Sequence, residues 1–334
     1  MMAEAYGGAG IMRILEVSRL GLFKGLLPDE TEWIRWGSSL TAEEPVQPEE
    51  PSISLLARTL SRIRRREFDL IVLPAIHPEH VHNQSRIKRM SKALLRYAAN
   101  VPAVANVVHR FGMRSTNCVV LDIHDDRHLC ETTLRLFPRC ALYFKRELAL
   151  DDPRAALVGK LKPVSLILPD ERRIPPPREK DIDVIFAGAV CNDTRKRAVE
   201  QARSLAALGA RVLIPDKPLP YPAFMEALGR SWLVLSPEGY GWDCYRHYEA
   251  CLASSVPLIN KPKYSRHLYL EEGTHCFYYD ADRDCIATRV VELLADKVKL
   301  SRMSEEGRRH VLANHTRSAV ARYILRELTG SCPA

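Results

Sequence analysis

Short runs of branched apolar residues, separated by longer stretches of helical periodicity, recur along this whole chain and limit its fold more tightly than any other feature. "MRILEV" (12–17), "FDLIVLPA" (68–75), "VPAVANVV" (101–108), "CVVLDI" (118–123), "CALYFKR" (140–146) and "VSLILP" (164–169) read as strands. Between them, "ISLLARTLSRIRRR" (53–66) sets Leu55, Leu56, Leu60 and Ile63 on one helical face, and a Lys/Arg-rich helix is expected at 84–99. Strands that are apolar throughout and alternate with helices belong to a parallel sheet covered on both faces.

The alternation pauses at "DERRIPPPREKDI" (170–182), where three consecutive prolines among charges resist helix and sheet alike. It then resumes. Strands are expected at 183–190, 210–215, 232–237, 256–260 and 275–279, with helices at 193–208, 221–231, 243–253, 284–296 and 301–327. The expected fold class is α/β, with two tandem Rossmann-like domains and a cleft between them. Residues 11–170 form the first domain, 171–182 the linker and 183–300 the second domain, with 301–330 a terminal helix crossing back to the first.

A chain of 334 residues is long enough for two cores. Its formal charge of +8 favours anionic ligands or surfaces, among them nucleotides, nucleic acid and acidic headgroups. The nine cysteines are odd in number and none has CxxC spacing, so they read as reduced thiols of a cytoplasmic protein, with no metal site. The leader "MMAEAYGGAG" lacks the regions of a secretory signal, and no apolar run is long enough to span a membrane, which leaves only peripheral membrane contact.

Ligands of open α/β sheets bind beyond the carboxyl ends of the strands, so loops that lead from strand to helix carry the candidates. The strongest is "SPEGYGWDCYRHYEACLASSVPLI" (236–259). Gly239 and Gly241, flanking Tyr240, permit close backbone approach to a ligand, and free N–H groups at the following helix start suit a phosphate. Asp243 is a candidate N-cap, Arg246 can reach a phosphate, and Glu249, one turn on, can accept both hydroxyls of a ribose. The same spacing also describes an ordinary surface ion pair between Arg246 and Glu249.

"GYGWDCYRHYEACLASSVPLI" resembles the nucleotide-sugar site of GT-B glycosyltransferases, especially exostosin-like and spore-maturation-type members. The likeness covers residues 183–280, with Arg246, Glu249 and Ala250 matching the family's helix start and "SSVPLI" its following strand, although Ser255 stands where glycine is usual. It implies that Glu249 holds the donor ribose and that the glycine loop and basic residues hold the diphosphate. Many retaining members place a second glutamate eight positions before the first; here that position is Gly241, which puts a retaining mechanism in doubt.

Other loops supply further candidates. In "GAVCNDTRKRAVEQA" (188–202), Asn192, Asp193 or Thr194 can cap a helix whose first turn carries Arg195, Lys196 and Arg197. Cations there oppose the helix dipole unless an anion binds, and the position resembles the family's second diphosphate contact, so Arg195 and Arg197 are taken as donor-binding. "CVVLDIHDDRHL" (118–129) offers Asp122, His124 and Asp125 as catalytic bases for an acceptor hydroxyl; an Asp-rich turn with a cap explains the same residues. "YFKREL" (143–148) is similar to "FKRE" runs of the family and places Lys145 and Arg146 near the leaving diphosphate; an amphipathic helix start explains the same residues. His77, His80 and His82 fit a polar loop better than a zinc site. "SRLGLFKGLL" (18–27) is too loose for a dinucleotide fingerprint and suits the acceptor side.

The expected activity is transfer of a sugar from a nucleoside diphosphate sugar, of UDP type, to an unknown acceptor: a glycan, a small molecule, a protein or a nucleic acid. No metal and no other cofactor is expected. Two alternatives stand beside it: a basic nucleic-acid-binding protein or DNA-directed transferase, and a catalytically silent GT-B protein that only binds a ligand.

Overall fold

The computed structural model describes residues 12–35, 53–75, 118–129, 131–136, 142–149, 161–170, 179–262, 264–265, 267–283 and 285–329. The strand expected at 101–108, the basic helix at 84–99, His77, His80 and His82, and most of the proline linker lie outside the described residues.

The first half is built from β1 (Ile14–Ser18), α1 (Leu22–Leu26), β2 (Thr31–Arg35), α2 (Ile53–Arg64), β3 (Leu70–Pro74), β4 (Cys118–Asp122), α3 (Glu131–Leu136), β5 (Leu142–Arg146), β6 (Leu148–Ala149) and β7 (Leu161–Val164). Six of these strands form one sheet in the order β2-β1-β3-β4-β5-β7, every neighbouring pair parallel. Every residue of β1, β4 and β5 is buried, as continuous apolar runs require of a sheet covered on both faces. Burying one Leu or Phe side chain contributes about 1.5–3 kcal/mol, and Leu15, Ile63, Ile71 and Val120 are among those that close this core.

The second half contains β8 (Ile182–Ile185), α4 (Asp193–Ser204), β9 (Val212–Leu213), α5 (Tyr221–Gly229), β10 (Ser231–Leu235), α6 (Tyr245–Leu252), β11 (Val256–Asn260), β12 (Tyr264–Ser265), β13 (Phe277–Tyr279), α7 (Ile286–Leu294), α8 (Lys297–Asn314) and α9 (Arg317–Thr329). Its sheet runs β13-β11-β10-β8-β9, again wholly parallel. In both sheets the chain reverses its direction of travel beside the first strand, at β1 and at β8. Crevices that take ligands open at such switch points.

The single terminal helix expected over 301–327 is in fact two, and the break has a backbone cause. At His315 and Thr316 the chain leaves the helix to pair with the segment after β7: Leu168 N donates to His315 O at 2.8 Å and Arg317 N to Leu168 O at 2.9 Å. No proline or glycine marks the break in the sequence. Beyond it α9 packs on the first sheet, where Val320, Ala321, Ile324 and Leu325 share a core with Leu22, Phe23 and Phe144. A second link joins the halves, the antiparallel pairing of β12 with β6.

Candidate functional site

The loop after β10 lies beside the switch point of the second sheet, and buried side chains fasten it from several directions. Trp242 Nε1 donates to Asn260 O at 2.8 Å, Glu238 N donates to Asn260 Oδ1 at 2.8 Å, and Asn260 Nδ2 donates to Glu238 Oε2 at 3.0 Å. His247 is also buried in this framework. Its Nε2 lies 2.8 Å from Trp242 O, which can only accept, so Nε2 carries the proton and Nδ1 accepts from Ser236 Oγ at 2.7 Å. Gly239 N donates to Gly241 O at 2.8 Å, which closes a tight turn with Tyr240 at its tip, 90% exposed.

Two guanidinium groups converge beneath this turn. Arg195 is buried; its Nε donates to Glu238 O at 2.9 Å and its Nη1 to Ala189 O at 2.8 Å. Arg246 donates from Nε to Ala187 O at 2.9 Å and lies over the Phe186 ring at 5.1 Å, while its Nη1 is buried without a partner. Burial, and after it the charge of Arg195, pushes the Arg246 pKa down to about 10. Neither guanidinium forms an ion pair among the described residues. Two neighbouring cations held by neutral carbonyls leave positive charge that an anion would satisfy. The start of α6 adds to this, because its N-cap, Cys244, supplies no side-chain hydrogen bond to the free N–H groups. By contrast, the N-terminus of α1 is already occupied by the chain itself: the buried Glu16 carboxylate accepts from Leu22 N, Phe23 N and Lys24 N.

Around these groups lies a cleft of about 300 Å³, with walls from both halves. Asp125, Arg146 and Leu166 line one side; Arg195, Phe224, the turn 239–241, residues 243–246 and Glu249 line the other. Across it, Arg146 donates to Ile123 O from Nε at 2.9 Å and to Asp243 O from Nη1 at 2.8 Å, and it forms an ion pair with Asp125.

Of the residues expected to bind a donor, Arg246, Glu249, Arg195, Gly239, Tyr240, Gly241 and Asp243 are brought together on the cleft. Five expectations need correction. Asp243 does not cap α6: its Oδ2 accepts from Leu166 N at 2.7 Å and its Oδ1 from Tyr248 OH at 2.6 Å, so it is a strut between the halves. Arg197 does not line the cleft; it is exposed, and pairs with Asp282 at 2.9 Å. Lys145 is completely buried and donates to Asp122 Oδ1 at 3.5 Å and to His124 O at 3.3 Å, which puts it under the site rather than at a diphosphate. Asp122, equally buried, also accepts from Tyr143 OH at 2.7 Å, so no acceptor hydroxyl can reach it. His124 accepts from Asp126 N through Nδ1 at 3.4 Å, and of the three expected bases Asp125 alone lines the cleft.

Sequence reasoning missed several contributors. Asn192 caps α4, accepting from Arg195 N at 2.8 Å, and its Nδ2 also reaches Gly239 O at 2.8 Å, tying the two ligand loops together. Its capping was foreseen as one of three options; its reach across to residue 239 was not. Glu147 stands inside the "YFKREL" run without an assigned role and Asn260 carries no motif, because their partners are distant in sequence.

Comparison with known proteins bears on the fold that carries this cleft. A family model described as the RXYLT1 C-terminal domain matches residues 215–269, within the stretch 183–280 already marked by its resemblance. No curated protein matches the sequence. Among solved structures, a glycosyltransferase from Rickettsia africae ESF-5 is similar over 96% of this chain and 99% of its own, with TM-score 0.57 at 8% identity. HepE from Anabaena, in complex with UDP, is similar over 96% of this chain and 100% of its own, with TM-score 0.51 at 14% identity. Sucrose-phosphate synthase from Thermosynechococcus elongatus matches over the same shares, with TM-score 0.51 at 10% identity. At such identities the likeness concerns architecture, and the architecture is that of GT-B glycosyltransferases.

Proposed function

We propose that this GT-B chain transfers a sugar from a nucleoside diphosphate sugar, of UDP type, to an acceptor hydroxyl. The observation that carries the reading is the pair of buried guanidiniums, Arg195 and Arg246, which have no carboxylate partner among the described residues and face a cleft at the switch point of the second sheet. In this reading the diphosphate lies against these cations and the start of α6, and Glu249 takes the ribose hydroxyls.

Charge develops on the diphosphate as its bond to the sugar breaks. Fixed cations and N–H groups stabilise that charge without reorganising, and such preorganisation is a large catalytic contribution. Arg195 and Arg246 thereby supply the neutralisation that a metal ion would otherwise bring, and the reaction is metal-independent. Asp125, on the opposite wall and partly exposed, takes the proton of the acceptor hydroxyl, which attacks from the face opposite the diphosphate and inverts the anomeric centre. In the resting site Asp125 forms an ion pair with Arg146. The described cysteines are free thiols, in accord with a reducing, cytoplasmic setting, and no helix among the described residues is long and apolar enough to cross a membrane.

Isothermal titration with UDP, UDP-sugars and free uridine tests the reading. UDP and its sugars bind, uridine binds far more weakly, and release of UDP from a UDP-sugar follows when a suitable acceptor is added. Equal affinity for UDP and uridine would remove the diphosphate site.

A further inference from the structure

β5 ends at Arg146, and the next residue, Glu147, is a non-glycine residue with φ of +54°. That left-handed conformation is uncommon for such a side chain and is maintained only where its surroundings hold it. It turns the chain from β5 into β6 and sends the carboxylate out of the first sheet, over the loop of the second. There Glu147 Oε1 accepts from Asp243 N at 2.9 Å, while the adjacent Arg146 donates to Asp243 O at 2.8 Å. Two consecutive residues of one half thus hold the N–H and the C=O of a single residue in the other half. The carboxylate is only 3% exposed, and burial raises its pKa.

Gly241 is fitted to this contact. A Cβ at that position would lie 2.1 Å from Glu147 Oε1, so any side chain there would evict the carboxylate. The placement of the loop matters in turn to the cations, because a Cβ at Gly239 would lie 2.7 Å from Arg195 Nη2. Backbone and guanidinium are in direct contact, and a shift of the turn displaces Arg195.

We infer that Glu147 is a positioning residue for the diphosphate loop: with Arg146 it clasps Asp243 across the cleft and fixes the 239–244 backbone in its ligand-facing form. Because Arg146 also pairs with Asp125, the same clasp sets the candidate base when the loop is seated. The inference rests on the donor-site reading above.

The test is a double-mutant cycle read by UDP titration on wild type, Glu147→Ala, Gly241→Ala and the double variant. Each single substitution raises the Kd for UDP about tenfold or more, and the double variant stays within about twofold of Glu147→Ala, since no carboxylate remains for the new methyl group to meet. Glu147→Gln retains an acceptor for Asp243 N and recovers most of the affinity; if the alanine variant does not fold, Gly241→Ala and Glu147→Gln decide, the first losing UDP affinity and the second keeping it, and equal affinities overturn the inference. Additive losses overturn the inference, as does a lowered thermal midpoint with unchanged Kd, which is what a purely structural contact would give. If wild type itself binds no UDP, the donor site is at fault rather than the clasp. The thermal midpoints of the same four proteins then decide: non-additive shifts support the clasp and additive shifts overturn it.

Discussion

A methyl group on Gly188 would sit 1.8 Å from Nη2 of Arg246, so residue 188 is glycine because the guanidinium occupies the space over it. Arg246 is held there by Ala187 O and the Phe186 ring and has little room to retreat. Gly188→Ala should therefore displace the cation and raise the Kd for UDP by about 10- to 100-fold, equivalent to about 1.4–2.8 kcal/mol. Isothermal titration reads the loss, and an unchanged Kd would mean that the guanidinium does not touch the ligand.

Arg195 and Arg197 separate two meanings of a basic helix start. Arg195→Ala removes a buried cation from the cleft and should weaken UDP binding about 10- to 100-fold. Arg197→Ala removes only an exposed pair with Asp282, worth about 0–1 kcal/mol, and should leave UDP affinity within about twofold. Titrating both variants in one buffer checks this, and equal losses would point to a diffuse electrostatic effect.

Glu249 is buried on the cleft wall, and the proposed function gives it the ribose hydroxyls. Wild type should prefer UDP to 2′-deoxy-UDP by about 10-fold, and Glu249→Ala should abolish most of that preference while binding UDP more weakly. A preference that survives the substitution would assign the ribose to another residue.

Acid should destabilise the junction between α8 and α9. His315 is fully buried there and donates from Nε2 to Leu268 O at 2.9 Å; around it stand Tyr248 of α6, His310 of α8, and His267 and His275 from the loop before β13. Burial pushes the His315 pKa down to about 3, and His267, stacked on Tyr323, down to about 4, again chiefly by burial. Both pKa values lie below the unfolded value of about 6.5, so the unfolded chain binds protons that the folded chain refuses. Stability is complete above about 6.5 and falls as pH drops toward the folded values. Urea unfolding at pH 7.5, 6 and 5 should show this slope, and His315→Gln should flatten it; an equal slope in the variant would place the proton uptake elsewhere.

Lys180 ties down the start of the second half. Its ammonium lies 2.8 Å from Gly229 O, 2.9 Å from Ser231 O, 2.6 Å from Ser254 O and 2.9 Å from Ser255 Oγ. Lys180→Met should destabilise the protein by about 2–3 kcal/mol, because it leaves buried oxygens unsatisfied. Denaturant unfolding measures the change, and a loss under about 0.5 kcal/mol would show that water replaces the ammonium.

Much of the fold was legible because it is local. β11 occupies residues 256–260 just as its apolar run requires, and Pro222 opens α5 where a helix's first turn tolerates it. The short β2, "TEWIR", was not foreseen: it is an edge strand whose partner is β1, and its alternation is interrupted by charge. In the site, Arg195 and Arg246 could be read from their place after strands. Lys145 and Arg197 could not be placed, because one residue of register or a few degrees of helix face decides between core, cleft and solvent, and partners such as Asp282 are distant in sequence. Ser255 looked like a mild departure from glycine; in place, its hydroxyl lies 2.6 Å from Leu228 O and 2.7 Å from Ser231 O and has a structural use of its own.

The return of α9 to the first sheet bears on the order in which the chain can mature. A ribosome delivers the strands of the first half before those of the second, but the helix that covers Phe23 and Phe144 emerges only after the whole second sheet has been made. Until then a greasy face of the first of the two sheets stays open to water, and such faces are where nascent chains stick to one another or recruit chaperones. The two halves, separate as sheets, therefore reach their finished state together.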